Sequence, residues 1–283
     1  MKDEEFAAFS KVLKERSGIV LTRDKEYLLE SRLLPVARQH NRDSLAALAR
    51  DLAVPGSQIE KDVVEAMTTN ESFFFRDAAV FDRFGSIVMP ALIAARAKEK
   101  KIRIWSAACS SGQEAYSLAM LLGEDGVLPP GWQVEILGTD LATKMVERAR
   151  AGTYNHFEVQ RGLPVRHLAK HFTKNGDVWT LSEKIRSRVT FRPFNLLNDY
   201  SGLGQFDVIF CRNVLIYFDL KTKADILQRM SRVLRPEGFL FLGGAETVVG
   251  VTDHFVARPG QPGIYVHASA AVSPGQMPAK VAV

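Results

Sequence analysis

The stretch from Lys101 to Leu122 constrains the fold of this chain more than any other. Lys101–Trp105 alternates polar and apolar residues, a pattern that predicts a short β-strand. Residues 106–113 are mainly small and include one glycine, Gly112, and apolar residues of Ala115–Leu122 then recur at helical spacing. A strand, a small-residue turn and a helix are typical of a nucleotide-binding α/β unit, because N–H groups at the helix start face the turn. An ordinary β–α loop has the same local pattern, so other segments must decide.

A second strand favours the nucleotide-binding interpretation. Gln133–Thr139 is predicted to be a strand, and Asp140 follows directly at its end. An acid at this position binds the ribose hydroxyls of an adenosine cofactor in such folds. The alternative role for Asp140 is to cap the helix that begins near Ala142. Later strands are predicted at residues 206–211, 239–243 and 263–266.

The remaining segments define the domain organisation. Residues 1–68 show helical periodicity and no strand pattern, so we expect an N-terminal all-helical domain. Residues 69–267 are expected to form a mostly parallel α/β domain. A small antiparallel β insertion is predicted at about residues 154–190, and residues 268–283 are predicted to be a flexible tail.

Composition limits the classes of function. The net charge of +5 and the pI near 9.2 suit an acidic partner but fall short of a dedicated nucleic-acid binder. The cysteines, Cys109 and Cys211, lack the spacing of a disulfide scaffold or a zinc site, so no metal is expected. No signal peptide is recognised and no apolar run approaches membrane-spanning length, so we expect a cytoplasmic protein without membrane insertion. We also expect a monomer.

Two enzyme classes share the predicted sheet and turn. They are the dinucleotide oxidoreductases and the methyltransferases that use S-adenosylmethionine (SAM). Gly112 is the only glycine in the turn, so the full Gly-x-Gly-x-x-Gly motif is absent. This absence weakens a pyrophosphate site more than a SAM site, because SAM carries no phosphate.

Five segments, taken together, resemble one known family. They occur in the order Thr68–Arg76, Trp105–Glu114, Gly138–Asp140, Asn195–Leu197 and Phe210–Phe218. With the helical N-terminal domain, the chain from about residue 5 to 267 is similar to the chemotaxis receptor methyltransferases of the CheR type. The resemblance implies SAM-dependent methyl esterification of glutamate side chains on the cytoplasmic helices of chemoreceptors, with S-adenosylhomocysteine as the second product.

The resemblance also implies which residues form the site. Nine positions match the family's cofactor-contacting residues: Asn70, Ser72, Arg76, Glu114, Asp140, Asn195, Leu196, Arg212 and Asn213. Arg76 and Tyr217 match the pair that acts at the transferring methyl group. We expect Tyr217 to orient the methyl group and the carboxylate, and Arg76 to bind either the cofactor's carboxylate or the incoming glutamate. Taken from the residues alone, Tyr217 could equally be a core aromatic, and the asparagines could be strand-end caps.

The second helical region is basic and is the expected docking surface. Arg32 and Arg38 lie there among other cationic residues. We expect this region to bind the acidic helical bundle of a chemoreceptor, although scattered charges more often form a solvated face.

Two other functions compete with this prediction. The basic pI permits a nucleic-acid methyltransferase, but amino-methylating members carry an (Asn/Asp)-Pro-Pro-aromatic segment where this chain has Cys211–Val214. A SAM-binding adaptor without activity is the second alternative. The presence of Glu114, Asp140 and Tyr217 argues against it.

Overall fold

The computed structural model describes residues 1–271, and its first domain is entirely helical. Its helices are α1 (Asp3–Ser17), α2 (Glu26–Gln39), α3 (Leu45–Asp51) and α4 (Gln58–Met67), with a 3₁₀ turn at Arg23–Lys25. The hydroxyls of Ser44 and Ser57 cap α3 and α4 by accepting backbone N–H bonds. The helices enclose their own core, which includes Phe9, Leu13, Leu29, Leu33, Leu48 and Val63.

A long apolar helical stretch follows the first domain. It comprises α5 (Ala78–Arg83), a π-helical turn (Phe84–Val88) and α6 (Met89–Ala95). By length and composition Ala78–Ala95 could cross a membrane, so the expectation that no apolar run approaches that length is wrong. Part of its apolarity has a structural cause, because Phe84 packs edge-on against Phe210 and Phe241 of the central sheet and Phe81 stacks on Phe210.

The α/β domain begins as the sequence pattern predicts. Its first four elements are β1 (Lys101–Ala107), α7 (Gln113–Leu121), β2 (Gln133–Asp140) and α8 (Thr143–Ala151). The strands β1 and β2 are parallel, with Ser106 opposite Gly138. Their carboxyl ends therefore lie side by side at one edge of the sheet.

An insertion then leaves the main sheet. It contains β3 (Thr153–Asn155), α9 (His156–Gln160), α10 (Val165–His171), β4 (Phe172–Asn175), β5 (Val178–Leu181) and α11 (Glu183–Arg186). The strands form an antiparallel sheet in the order β3-β5-β4. The segment thus starts one residue before the expected 154–190, since Thr153 already pairs with Thr180, and it ends before Val189, which rejoins the main sheet.

The last elements complete the main sheet. They are β6 (Val189–Pro193), β7 (Phe206–Cys211), α12 (Leu220–Val233), β8 (Leu234–Leu242), β9 (Phe255–Ala257), β10 (Ile264–His267) and α13 (Ala268–Ala271), with 3₁₀ turns at Ser201–Leu203 and Leu215–Tyr217. The strand order is β6-β2-β1-β7-β8-β10-β9. The pairs from β6 to β8 are parallel, and β10 is antiparallel to both of its neighbours.

The predicted fold class is confirmed: a mostly parallel sheet, an all-helical first domain and a small antiparallel insertion. Of the predicted tail, residues 268–271 form the short helix α13. The rest of the tail lies outside the described residues.

Gly138 in β2 provides a direct test of how tightly β2 and β6 pack. A Cβ at this position would lie 2.5 Å from two ring carbons of Phe191, which is itself buried. We expect Gly138→Ala to lower the free energy of unfolding by about 1–3 kcal/mol, because the ring must shift within a packed core. Urea unfolding followed by circular dichroism measures this change.

Gly202→Ala is the matched control. An added Cβ at Gly202 meets nothing within 4 Å, and its backbone does not have a positive φ. Its unfolding midpoint should match that of the parent protein. Equal midpoints for both variants would contradict the packing argument.

Candidate active site

A cleft lies at the carboxyl ends of β1, β2 and β7, where the first domain meets the sheet. It encloses about 930 Å³, part of which is open to solvent. The first domain contributes Ser17 and Ile19 to its walls, and the segment between α4 and α5 contributes residues 68–73 and Arg76. Open α/β sheets generally bind their ligands in such a crevice, outside the carboxyl ends of the strands.

The structure brings all of the sequence-predicted site residues to this cleft. Its lining includes Asn70, Ser72, Arg76, Glu114, Asp140, Asn195, Leu196, Arg212, Asn213 and Tyr217. They come from five segments that are far apart in the chain. Their common location is what the predicted roles require, while the roles themselves stay predictions.

Asp140 is a buried carboxylate bound by backbone N–H groups. Its Oδ2 accepts from Ser110 N at 2.7 Å, and its Oδ1 accepts from Ala142 N at 2.9 Å. Burial raises the pKa of Asp140, and the two N–H donors counteract this rise. The alternative role, capping of α8, is not what the structure shows: the N-cap of α8 is Ala142, and the helix has no side-chain cap. Asp140 instead fixes the turn after β1 and the backbone just before α8.

Arg212, at the end of β7, is the most buried cation of the cleft. Its Nη1 donates to Glu114 Oε2 at 3.0 Å, and its Nη2 donates to the Arg76 carbonyl at 2.9 Å and to the carboxylate of Asp77. Glu114 also accepts from the Ser106 hydroxyl at 2.8 Å. The Arg212 Nε is buried and has no protein partner within the described part of the chain, so the site still holds one unused donor.

Asn195 connects the cleft to the first domain. Its Nδ2 donates to the Arg16 carbonyl at 2.6 Å, and its Oδ1 accepts from Leu197 N at 2.9 Å. Leu196 is buried and presents an apolar surface beside it. The helical domain is therefore part of the wall, because the end of α1 is hydrogen-bonded to a site residue.

Tyr217 ends the 3₁₀ turn that follows Asn213. Its side chain lines the cleft and is partly exposed while it also packs against the core beneath, so it is not a fully buried core aromatic. Its carbonyl accepts from Val20 N at 3.0 Å, beside an antiparallel bridge between Ile19 and Phe218. The backbone of Tyr217 is thus fixed by the chain just after α1.

Glu246 is a functional candidate that the sequence analysis missed. Its buried carboxylate accepts four backbone N–H bonds: from Asn213 (2.8 Å), Val214 (2.9 Å), Leu215 (2.7 Å) and Gly243 (2.6 Å). It therefore holds the turn that carries Asn213 and Tyr217. An acid just after a buried strand at the carboxyl edge is the signal that could have indicated it.

Comparison with known proteins assigns the family. The family model described as "CheR methyltransferase, SAM binding domain" matches residues 70–264, and "CheR methyltransferase, all-alpha domain" matches residues 4–68. The chain belongs to the CheR methyltransferase family. The resemblance stated from the sequence is thereby confirmed.

Named relatives agree with this assignment over nearly the whole chain. Chemotaxis protein methyltransferase 1 of Pseudomonas aeruginosa is 42% identical, covering 93% of this chain and 97% of its own. Chemotaxis protein methyltransferase Cher2 of Pseudomonas putida is 41% identical, covering 93% and 98%. The chemotaxis protein methyltransferase of Escherichia coli is 32% identical, covering 91% and 89%.

The predicted cofactor, SAM, is also confirmed by the family's SAM-binding domain. The residues of this CheR chain fit it. The cleft combines the unused Arg212 Nε with apolar surface from Phe194, Leu196 and Leu141, as a molecule with charged, polar and apolar parts requires.

Glu246→Gln tests whether the turn before Tyr217 depends on a carboxylate. The amide nitrogen replaces one acceptor oxygen, so two backbone N–H groups lose their partner. We expect stability to fall by about 1–3 kcal/mol. We also expect kcat to fall while the affinity for S-adenosylhomocysteine changes less, since Tyr217 is displaced more than Asp140. Urea unfolding, calorimetry and a methyl-transfer assay measure the three quantities.

Glu237→Gln is the matched control. Glu237 is 59% exposed and makes one ion pair, with Arg96 at 3.2 Å. It should leave kcat and cofactor affinity unchanged. A Glu246→Gln variant with parental stability and kcat would show that the turn does not need the carboxylate.

Proposed function

We propose that this CheR-family enzyme transfers the methyl group of SAM to glutamate side chains on the cytoplasmic helices of chemoreceptors. The products are glutamate methyl esters and S-adenosylhomocysteine, and the reaction serves adaptation in chemotaxis in the cytoplasm. The relatives' names support a role in chemotaxis. The observation that carries the choice of a carboxylate acceptor is the chemical character of the cleft.

The cleft suits an acceptor that is already ionised. Among the described residues that line it there is no histidine or lysine. Its three carboxylates are already engaged: Glu114 accepts from Arg212, Asp140 accepts from backbone N–H groups, and Glu71 pairs with Arg161. A glutamate with a pKa of about 4.3 is more than ~99% ionised at pH 7 and needs no general base. An amine acceptor would need one.

Catalysis then depends mainly on alignment. Bound SAM supplies a methyl group activated by a positively charged sulfur. Tyr217 lines the cleft and follows a turn fixed by Glu246, and in our proposal its hydroxyl orients the acceptor by hydrogen bonding. Alignment of reacting groups can supply up to roughly 7–11 kcal/mol of the barrier.

Arg76 is a second cationic side chain, besides Arg212, that lines the cleft. Its Nη1 donates to the Glu71 carbonyl at 3.2 Å, and its guanidinium lies 5.3 Å from the centroid of the Phe73 ring. In our proposal it binds a carboxylate, either that of SAM or that of the acceptor glutamate. Both assignments use its charge and its planar donor set.

We further propose that the enzyme is a monomer and that it binds the receptor through helix α2. Arg38 is exposed there and is available to an acidic receptor helix. Arg32 has an additional structural role, because its Nη1 donates to the Met67 and Thr68 carbonyls, each at 3.0 Å. We therefore assign docking chiefly to Arg38 and its exposed neighbours.

Transfer of tritiated methyl from SAM to receptor-bearing membranes tests the proposed acceptor. We expect label on the receptors that mild base releases as methanol, because methyl esters hydrolyse there. Receptors whose acceptor glutamates are replaced by alanine are the control and should stay unlabelled. Base-stable label, or label on RNA or DNA, would contradict the proposal.

Tyr217→Phe tests the alignment role. It removes the hydroxyl of a residue that lines the cleft and should lower kcat by roughly ten- to a hundredfold, because the acceptor is no longer oriented by that group. Binding of S-adenosylhomocysteine, measured by calorimetry, should stay close to the parental value. Equal losses in binding and kcat would argue for a structural role instead.

Tyr116→Phe is the control for removal of a tyrosine hydroxyl. The Tyr116 hydroxyl is buried and donates to the Ala149 carbonyl at 2.6 Å, away from the cleft lining. This variant should lose stability by about 1 kcal/mol and keep its kcat.

A further inference from the structure

One wall of the cleft is built from backbone without helix or strand. This wall segment, residues 70–76, lies between α4 and α5 and carries Arg76. The Ser110 hydroxyl donates to the Asn70 carbonyl at 2.8 Å near one end. Near the other end, Phe75 N donates to the Ser117 hydroxyl at 2.9 Å. Neither of these two hydrogen bonds involves the middle of the segment, residues 71–74.

The middle of the wall segment contacts the insertion through Arg161. The Nη2 of Arg161 lies 2.6 Å from Glu71 Oε1, and its guanidinium lies 4.3 Å from the centroid of the Phe73 ring. Arg76 contacts the same two residues, through the Glu71 carbonyl and the Phe73 ring. Two arginines from different parts of the chain therefore share the same pair of neighbours.

The backbone next to Arg161 is shaped for this contact. Gly162 has φ +80°, and a Cβ there would lie 2.1 Å from the Phe74 carbonyl oxygen and 3.0 Å from Phe73 Cδ2. Only glycine permits both this conformation and this approach. The loop between α9 and α10 thus lies directly against the wall segment.

The Arg161 contact is local in its effect. The side chains of Arg161 and Glu71 are each 55% exposed, so their ion pair contributes little to global stability. The hydrogen bond from Arg161 lowers the pKa of Glu71, so the pair is fully charged at neutral pH. The pair joins the insertion to a segment that has no helix or strand of its own.

We propose that Arg161 is a positioning residue for the cofactor cleft, acting through Glu71 and Phe73 on Arg76 and the wall segment. The insertion is then a structural part of the SAM site, although Arg161 itself does not line the cleft. Cofactor affinity depends on this contact more than folding does.

Arg161→Ala in the full chain tests the proposal, with calorimetric binding of S-adenosylhomocysteine as the main measurement. The Kd should rise roughly five- to tenfold, from loss of a cation–π contact and an exposed ion pair. The Tm without ligand should fall by less than about 3 °C. Arg166→Ala is the matched control, since Arg166 pairs with Glu124 at 3.2 Å in the same insertion. It should leave both values unchanged.

Two further variants separate positioning from a general structural effect. Arg161→Lys keeps the charge and should recover part of the affinity. In a Glu71→Gln background, Arg161→Ala should have a smaller effect on Kd than in the parent, because the two residues act together. The proposal would be overturned if Arg161→Ala bound S-adenosylhomocysteine with the same Kd as the parent protein. It would also be overturned if Arg161→Ala raised the Kd by the same factor in the parent and in the Glu71→Gln background.

Discussion

The buried guanidinium of Arg212 is the interaction on which the site depends. Its side chain is only 1% exposed, so its charge must be compensated within the protein. Glu114, at the start of α7, and Asp77, just after the wall segment, supply the compensating charges, and the Arg76 carbonyl accepts a further bond. One side chain at the end of β7 thereby fixes the relative positions of two elements that are distant in sequence.

Two buried carboxylates, Asp140 and Glu246, each accept a backbone N–H group from a strained turn beside the cleft. Among the described residues, Ala108, Ser110 and Asn213 line the cleft with positive φ (54°, 50° and 59°), a conformation that costs a non-glycine residue about 1–2 kcal/mol. Asp140 accepts the Ser110 N–H, and Glu246 accepts the Asn213 N–H. These bonds offset the strain, and the turns then direct polar groups toward the cleft.

The sequence predicted those features that depend on local pattern or on a family motif. The strand–turn–helix at Lys101–Leu121, the helical first domain and all of the residues proposed for the cleft could be found in this way. For Glu246 the local pattern, an acid after a buried strand, indicates only a candidate, because its role depends on bonds to a turn more than thirty residues earlier. The length and apolarity of Ala78–Ala95 are visible in the sequence, whereas its packing against Phe210 is not, because that contact joins residues far apart in the chain.

Long-range contacts also explain why the cleft cannot be assigned to the α/β domain alone. Asn195 bonds to the end of α1, Arg32 bonds to the carbonyls at the end of α4, and Arg161 reaches the wall segment from the insertion. The wall segment therefore takes its geometry from its neighbours. Since a ligand that binds only the folded cleft stabilises every contact that forms it, cofactor binding and the packing of all three parts are thermodynamically linked. Changes in the first domain or in the insertion are therefore expected to alter SAM binding, even where they lie outside the cleft.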